Sequence, residues 1–105
     1  MEIDKIVEKS KQAQTKWAKL SVDERISYLQ KAGEVLNRRS QELAKLLSQE
    51  MGKDFNRAYG EVNGCANDIT YKANEVKKAI KTQVFDNYGV KTELQYNALG
   101  VCAVI

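Results

Sequence analysis

The chain of 105 residues contains no histidine and no proline, and it has only one tryptophan and two cysteines. Without histidine there can be no Ser-His-Asp triad, no Cys-His pair and no zinc site with a histidine ligand. The cysteines, Cys65 and Cys102, are too far apart in sequence to form a Cys-x-x-Cys ligand pair. An average composition would supply about five prolines. These absences exclude several hydrolytic and metal-dependent classes of protein.

The excess of positive over negative charge is also small. Lys plus Arg is 17 and Asp plus Glu is 14, so the net charge is only +3, and the basic residues are scattered. This pattern argues against a nucleic-acid partner. No apolar run reaches the roughly 20 residues that cross a bilayer, and the N-terminus is charged from its second residue, unlike a secretory signal. We therefore expect a cytoplasmic protein without a membrane partner.

The two cysteines favour buried or incidental thiols over a disulfide, because nothing in the sequence is typical of a secreted protein. Cys65 falls on the apolar stripe of a predicted helix, and Cys102 lies within an apolar run. Burial among apolar side chains makes a thiol inert. We therefore predict no catalytic role for either cysteine.

Apolar residues recurring every three or four positions predict four helices, over about 3–20, 22–37, 41–51 and 54–81. Ser21 and Glu24 have the spacing of a capping box at the start of the second helix. Ser40 and Asp54 are the predicted caps of the third and fourth helices. Gly52 is predicted to end the third helix in the left-handed conformation.

Two features of the helices have alternative interpretations. Gly60 and Gly64 lie four positions apart inside the fourth helix, where each glycine costs about 1 kcal/mol relative to alanine. We interpret the pair as a close approach of another backbone rather than as a chemical site. Arg38 and Arg39 are interpreted as a solvated helix end, which suits cations, rather than as an anion site.

After Lys81 the periodicity changes. Asn87-Tyr-Gly89 is a turn signal, and residues 91–98 alternate between apolar and polar as in a half-exposed strand. Residues 100–105 form an apolar run, which is typical of a strand buried on both faces in a parallel sheet. Such a strand needs helices that cover both faces, and four helices with two strands cannot supply that cover. The sequence thus predicts the truncated front of a larger α/β protein.

Several motifs in order resemble the aldehyde dehydrogenase superfamily over essentially the whole chain. They are Trp-Ala-Lys-Leu-Ser with Asp-Glu-Arg, Glu-Leu-Ala with Glu-Met-Gly-Lys, Glu-Val with Cys-Ala-Asn, and Tyr-x-x-Leu-Gly-Val. These motifs lie at residues 17–25, 42–53, 61–67 and 96–101. The last two resemble most closely the bacterial succinate-semialdehyde dehydrogenase branch. The family usually has proline where this chain has Asp54 and Ala98.

The resemblance implies an α/β fold in which residues 1–105 are the N-terminal part of the cofactor-binding domain. It also implies an oxidoreductase that uses NAD or NADP to convert an aldehyde to a carboxylic acid through a cysteine thiohemiacetal. The catalytic Cys, Glu and Asn of the family have no counterpart in this sequence. We therefore expect the chain alone to be inactive, with no catalytic, cofactor-binding or metal-binding residue and no bound cofactor.

A few residue roles follow from the same resemblance. Glu50 matches a position beside a monovalent-cation site in related enzymes, although a surface acid at a helix end is the simpler interpretation. Gly64 and Cys65 match a region that lines the substrate tunnel. The strand at 91–97 resembles part of the oligomerisation arm, so self-association is expected there. The alternative function is a non-enzymatic module that docks on full-length subunits.

Overall fold

The computed structural model describes residues 2–104. Four helices are followed by a β-hairpin, in the α/β class that the sequence predicts. The helices are α1 (Glu2–Trp17), α2 (Val22–Arg38), α3 (Ser40–Met51) and α4 (Phe55–Ala79). The strands are β1 (Gln83–Asn87) and β2 (Val90–Leu94). None of the helices within residues 2–104 combines the length and the apolar character of a membrane span.

Helix ends are set by local chemistry. At the start of α2 the Ser21 N–H donates to the Glu24 carboxylate at 2.7 Å, and the Glu24 N–H donates to the Ser21 hydroxyl at 3.2 Å. This is the predicted capping box. Asp54 accepts from the backbone N–H groups of Asn56 and Arg57 and so caps α4. Gly52 ends α3 with φ +66, the left-handed conformation that glycine adopts without strain.

The predicted cap of α3 is wrong. Arg39 occupies the N-cap position without a side-chain capping bond, and Ser40 is the first residue of the helix. Ser40 is buried, and it hydrogen-bonds to the Tyr59 phenol on α4 instead. Arg39 donates to the Glu42 carboxylate at 2.6 Å. The chain thus passes from α2 to α3 with a single intervening residue.

Helix α4 organises the small core, because it packs against both α2 and α3. The buried apolar residues are Ile26, Ala44, Ala58, Ala66 and Ala73. Four of these five are alanines, so the helices can approach closely while burying little apolar surface per residue. The radius of gyration is 18.7 Å, against about 13 Å for a compact domain of this length. The fold is therefore an elongated layer with large apolar faces in contact with solvent.

Helix α1 has no buried residue. Its C-terminal end meets α2 through the rings of Trp17 and Tyr28, whose centroids are 5.7 Å apart. Ile6, which belongs to the three-to-four-residue apolar spacing of this helix, is 60% exposed. The apolar periodicity of α1 therefore marks a face that the other described residues leave open.

The close backbone approach falls at a different glycine from the predicted pair. A Cβ at Gly60 or Gly64 would meet no heavy atom within 4 Å, whereas one at Gly33 would lie 3.1 Å from the Ala66 carbonyl oxygen. Gly33 therefore sets how near α2 lies to α4, and the prediction for Gly60 and Gly64 is corrected. Both of those glycines lie on an exposed part of α4.

The strands also differ from those predicted. β2 ends at Leu94 rather than continuing to residue 98, and it pairs antiparallel with β1, which the sequence pattern did not reveal. Residues 100–104 form no strand, and Ile105 lies outside the described residues. Val101 is 43% exposed and Val104 is 96% exposed. A strand buried on both faces needs neighbouring strands, and among the described residues none pairs with this segment.

Candidate functional site

The predicted site residues do not form a catalytic centre among residues 2–104. No group of three or more His, Cys, Asp or Glu side chains in that part of the chain is placed to hold a metal ion. Glu50 lies exposed in the last turn of α3, and Gly64 and Cys65 lie exposed near the middle of α4. No hydrogen bond or ion pair joins these three positions within the described range.

Gly52 and Lys53 lie in the short loop that connects α3 to α4. The Ser48 hydroxyl donates to the Lys53 carbonyl oxygen at 2.6 Å, and the Lys53 ammonium pairs with the Glu61 carboxylate. These contacts fix the loop against the first turns of α4. Glu50 makes no ion pair among the described residues, so its carboxylate is free to face a group outside them.

Both cysteine thiols are free and exposed, so their predicted burial is wrong. Cys65 lies beside rather than within the α4 stripe that faces α2 and α3. The Cys102 thiol has only a 3.9 Å contact with the Gly100 carbonyl oxygen. Neither thiol has a histidine to activate it, because the sequence contains none. Exposure alone does not give a cysteine the character of a catalytic nucleophile.

Tyr59 belongs to a polar link between α3 and α4. Hydrogen bonds with Asn63 and Ser40 hold the pKa of the Tyr59 phenol below its ordinary value. The ring stacks on Phe55, with centroids 6.2 Å apart. The hydrogen bond between Ser40 and Tyr59 thus ties α3 to α4.

An apolar groove, here called the α2–α4 groove, opens between α2 and α4. It has a volume of about 400 Å³ and is lined by Trp17, Ile26, Leu29, Ile69, Ala73 and Val76, with Arg25 and Lys72 among its polar neighbours. The Arg25 Nε is buried and has no hydrogen-bond partner among the described residues. The sequence pattern predicted the apolar stripes, but not that they would remain uncovered.

The hairpin, residues 83–94, is the second exposed apolar surface. Its register pairs Phe85 with Thr92 and Gln83 with Leu94, so Phe85, Val90 and Leu94 share one face. These three side chains are 44–64% exposed. Asp86 and Lys91 are paired on the opposite face. A two-stranded hairpin with an uncovered apolar face is marginal in water, so this surface is suited to pairing or packing with another chain.

Comparison with known proteins identifies the family. The sequence profile described as the aldehyde dehydrogenase family matches residues 1–105. The chain therefore belongs to the aldehyde dehydrogenase family of oxidoreductases, as the motifs in the sequence predict.

Three of the matched relatives are bacterial dehydrogenases. An NADP-dependent glyceraldehyde-3-phosphate dehydrogenase of Streptococcus equinus is 39% identical over 70% of this chain and 16% of its own length. A succinate-semialdehyde dehydrogenase [NADP(+)] of Deinococcus radiodurans is 37% identical over 67% of this chain and 15% of its own length. A succinate semialdehyde dehydrogenase [NAD(P)+] of Escherichia coli is 29% identical over 85% of this chain and 19% of its own length. The chain thus spans less than a fifth of these relatives.

The described residues do not fit a dinucleotide. A helix N-terminus that receives a pyrophosphate needs free backbone N–H groups and no competing anion. The first turn of α2 is occupied by the Glu24 carboxylate, and the first turn of α4 by the Asp54 carboxylate. The only sheet among residues 2–104 is the antiparallel hairpin, which offers no strand-to-helix crossover for a nucleotide.

Sequence reasoning missed Gly33, Arg25 and β1. Gly33 follows Leu29 by four residues and Ile26 by seven, so it shares their face of α2, where a residue without a side chain is itself a signal of close packing. The turn at 87–89 requires a partner strand before it, and that requirement could have revealed β1. No sequence signal could have shown that the Arg25 Nε lacks a partner, since this depends on how the helices pack.

Proposed function

We propose that these residues serve an NAD(P)-dependent aldehyde dehydrogenase of the succinate-semialdehyde type, located in the cytoplasm, as the N-terminal part of its cofactor-binding domain. Family membership over the whole chain is the observation that carries the proposal. Succinate-semialdehyde dehydrogenases among the relatives support the substrate class. In such an enzyme this segment supplies a helical layer and a hairpin, while the reacting groups lie elsewhere in the protein.

We propose that residues 1–105 alone do not oxidise aldehydes. The nucleophile of a thiohemiacetal mechanism is a thiolate, and thiolates need an activating base or cation. Cys65 and Cys102 have neither among their described contacts. Purified chain should therefore give no NADH or NADPH when mixed with succinate semialdehyde and either cofactor, and a measurable turnover would refute this part of the proposal.

A chimeric enzyme tests whether this segment can serve as part of an active aldehyde dehydrogenase. Residues 1–105 would replace the matched N-terminal segment of the Escherichia coli relative, with a deletion lacking that segment as the control. We expect the chimera to oxidise succinate semialdehyde and the deletion to be inactive. A folded chimera, verified by circular dichroism and gel filtration, that shows no oxidation would contradict the proposal. A chimera that prefers glyceraldehyde 3-phosphate would reassign the substrate.

Three residues have proposed supporting roles. Glu50 would neighbour a monovalent cation, which its exposure and lack of an ion partner among the described residues permit. Gly64 and Cys65 would line the route of the aldehyde, and the open space at Gly64 supports that placement. In the chimera, Gly64→Leu should raise KM for succinate semialdehyde more than it lowers kcat, and an unchanged KM would count against tunnel lining.

The hairpin supports a second proposal, that β1 and β2 mediate association between subunits. Both strands are exposed along their whole length. A docking module on full-length subunits would use the same surface, and this remains the alternative function of the chain. Gel filtration with and without the full-length Escherichia coli relative separates the two possibilities. In either case Phe85→Asp should abolish association while Lys91→Gln should not.

A further inference from the structure

Asn63 and Gly64 form the only Asn-Gly pair of the chain, and they lie in the middle of α4. In such a pair the backbone nitrogen of the glycine is a nucleophile next to the carbon of the asparagine side-chain amide. Because glycine has no Cβ, residue 64 itself does not hinder that nitrogen. A Cβ at Gly64 would meet no heavy atom within 4 Å, so no other described element covers this side of the pair.

The segment of residues 60–64 is held less firmly than the parts of α4 on either side of it. Gly60 and Gly64 lie one turn apart, and each costs about 1 kcal/mol relative to alanine in a helix interior. Both glycines are exposed, whereas the buried residues Ala58 and Ala66 lie before and after them. A helix opens locally most easily where its backbone hydrogen bonds are exposed and few side chains are buried.

Two hydrogen bonds protect Asn63 while the helix is closed. Inside α4 the Gly64 N–H is committed to the Gly60 carbonyl oxygen, four residues earlier. The Asn63 side chain is half-buried and hydrogen-bonds to the Tyr59 phenol. Both bonds involve the same turn of helix, so one local opening releases the nucleophile and the amide together.

We propose that Asn63 is a site of spontaneous deamidation that is gated by local opening of α4 at residues 60–64. In the opened segment the Gly64 nitrogen loses its proton and attacks Cγ of Asn63. The bond from nitrogen to Cγ forms, the bond from Cγ to Nδ2 breaks, and the amide group leaves with that proton as ammonia. Water then adds to one of the two carbonyl carbons of the succinimide and yields aspartate or isoaspartate, without any oxidation or reduction.

The isoaspartate product would divide α4 between its contacts with the two neighbouring helices. The extra backbone carbon of isoaspartate interrupts the hydrogen-bond ladder of the helix at residue 63. Tyr59, which bonds to Ser40 of α3, lies before that point. Ala66, which lies against Gly33 of α2, comes after it. The modification would therefore loosen α3 from α2 irreversibly, and it does not depend on the proposed activity.

Mass spectrometry of the full 105-residue chain, incubated in neutral buffer at physiological temperature, tests the proposal. Trypsin cleaves after Arg57 and Lys72 and releases residues 58–72, which contain both Asn63 and Asn67. Asn67 precedes an aspartate in the same helix and is the matched internal control. We expect conversion of the amide to the acid at Asn63 to exceed that at Asn67. Enzymatic methyl transfer from S-adenosylmethionine should detect isoaspartate in this peptide.

Gly60→Ala tests the gate, because it leaves the Asn-Gly pair intact. The substitution stabilises the helix by about 1 kcal/mol, so it should slow conversion of Asn63 about fivefold in buffer. In concentrated urea α4 is unfolded, and the unmodified and Gly60→Ala chains should convert at equal rates. Gly64→Ala removes the pair and should slow conversion under both conditions.

Three results would overturn the proposal. The first is equal conversion of Asn63 and Asn67 in the unmodified chain. The second is an unchanged rate in buffer for Gly60→Ala. The third is an intact Asn63 in buffer after a period that converts it completely in urea, which would show that α4 stays closed at residues 60–64.

Discussion

Gly33 on α2 lies against the Ala66 carbonyl oxygen on α4, and a Cβ at position 33 would lie only 3.1 Å from that oxygen. The same Cβ would lie 3.4 Å from Cδ1 of Ile69. Since the nearest atom belongs to backbone within a helix, it cannot rotate away. The separation of α2 and α4, and with it the width of the groove between them, depends on the missing side chain at Gly33.

Substitution of Gly33 by a larger residue should destabilise the chain. Gly33→Val would push α2 from α4 and should lower the free energy of unfolding by about 2 kcal/mol, within the range of overpacked cores. Gly64→Ala is the matched control, because its added methyl group meets nothing within 4 Å. That variant should gain up to about 1 kcal/mol from helix propensity. Urea denaturation followed by circular dichroism measures the free energy of unfolding of both variants. Equal values would contradict the close packing of α2 against α4 at Gly33.

The capping box should make the stability of α2 sensitive to acid. Hydrogen bonds from the Ser21 N–H and hydroxyl hold the pKa of Glu24 below its ordinary value. A carboxylate whose pKa is lower when folded contributes stability at pH above its unfolded pKa, and this contribution is lost as pH falls through the folded pKa. Glu24→Gln should therefore reduce the loss of helicity between neutral and acidic pH. A pH titration followed by circular dichroism measures this loss of helicity for the unmodified chain and for Glu24→Gln.

Ser21→Ala tests the other half of the box. Removal of a serine N-cap should cost about 1 kcal/mol of stability at neutral pH. Ser27→Ala is a suitable control, since the Ser27 hydroxyl donates only to the Glu24 carbonyl oxygen inside the helix. A Ser21→Ala chain as stable as the Ser27→Ala chain in urea would show that the cap contributes nothing.

Asparagine in place of Tyr88 should make the hairpin turn more stable. Tyr88 and Gly89 both have positive φ, 55 and 84 degrees, as a two-residue turn between antiparallel strands requires. A tyrosine in this conformation costs roughly 1–2 kcal/mol, whereas Asn-Gly is the preferred pair. Tyr88→Asn should slow amide hydrogen exchange in β1 and β2. Gly89→Val should speed it, and the reverse order would contradict the turn geometry.

Both thiols should react in the native chain. Because Cys65 and Cys102 are exposed, Ellman's reagent should modify both without denaturant. Cys65→Ser and Cys102→Ser variants assign the two reactions. A thiol that reacts only in urea would be buried, as the sequence pattern had indicated.

Local features of this protein could be predicted from its sequence. The capping box at Ser21, the Asp54 cap and the left-handed Gly52 depend on residues a few positions apart, and all are present in the structure. The family was also evident from ordered motifs. These features need no knowledge of which helix lies beside which.

Tertiary structure decided the remaining features. Periodicity shows that Cys65 and Gly64 belong to a helix, but only the packing of α2 and α3 on α4 shows that both positions are exposed. The close approach at Gly33 and the unpartnered Nε of Arg25 arise where helices distant in sequence meet. The sequence by itself thus determined the helices, the ends capped by Ser21, Gly52 and Asp54, and the family. The tertiary structure decided which faces are covered, because burial is a property of neighbouring elements and not of one segment.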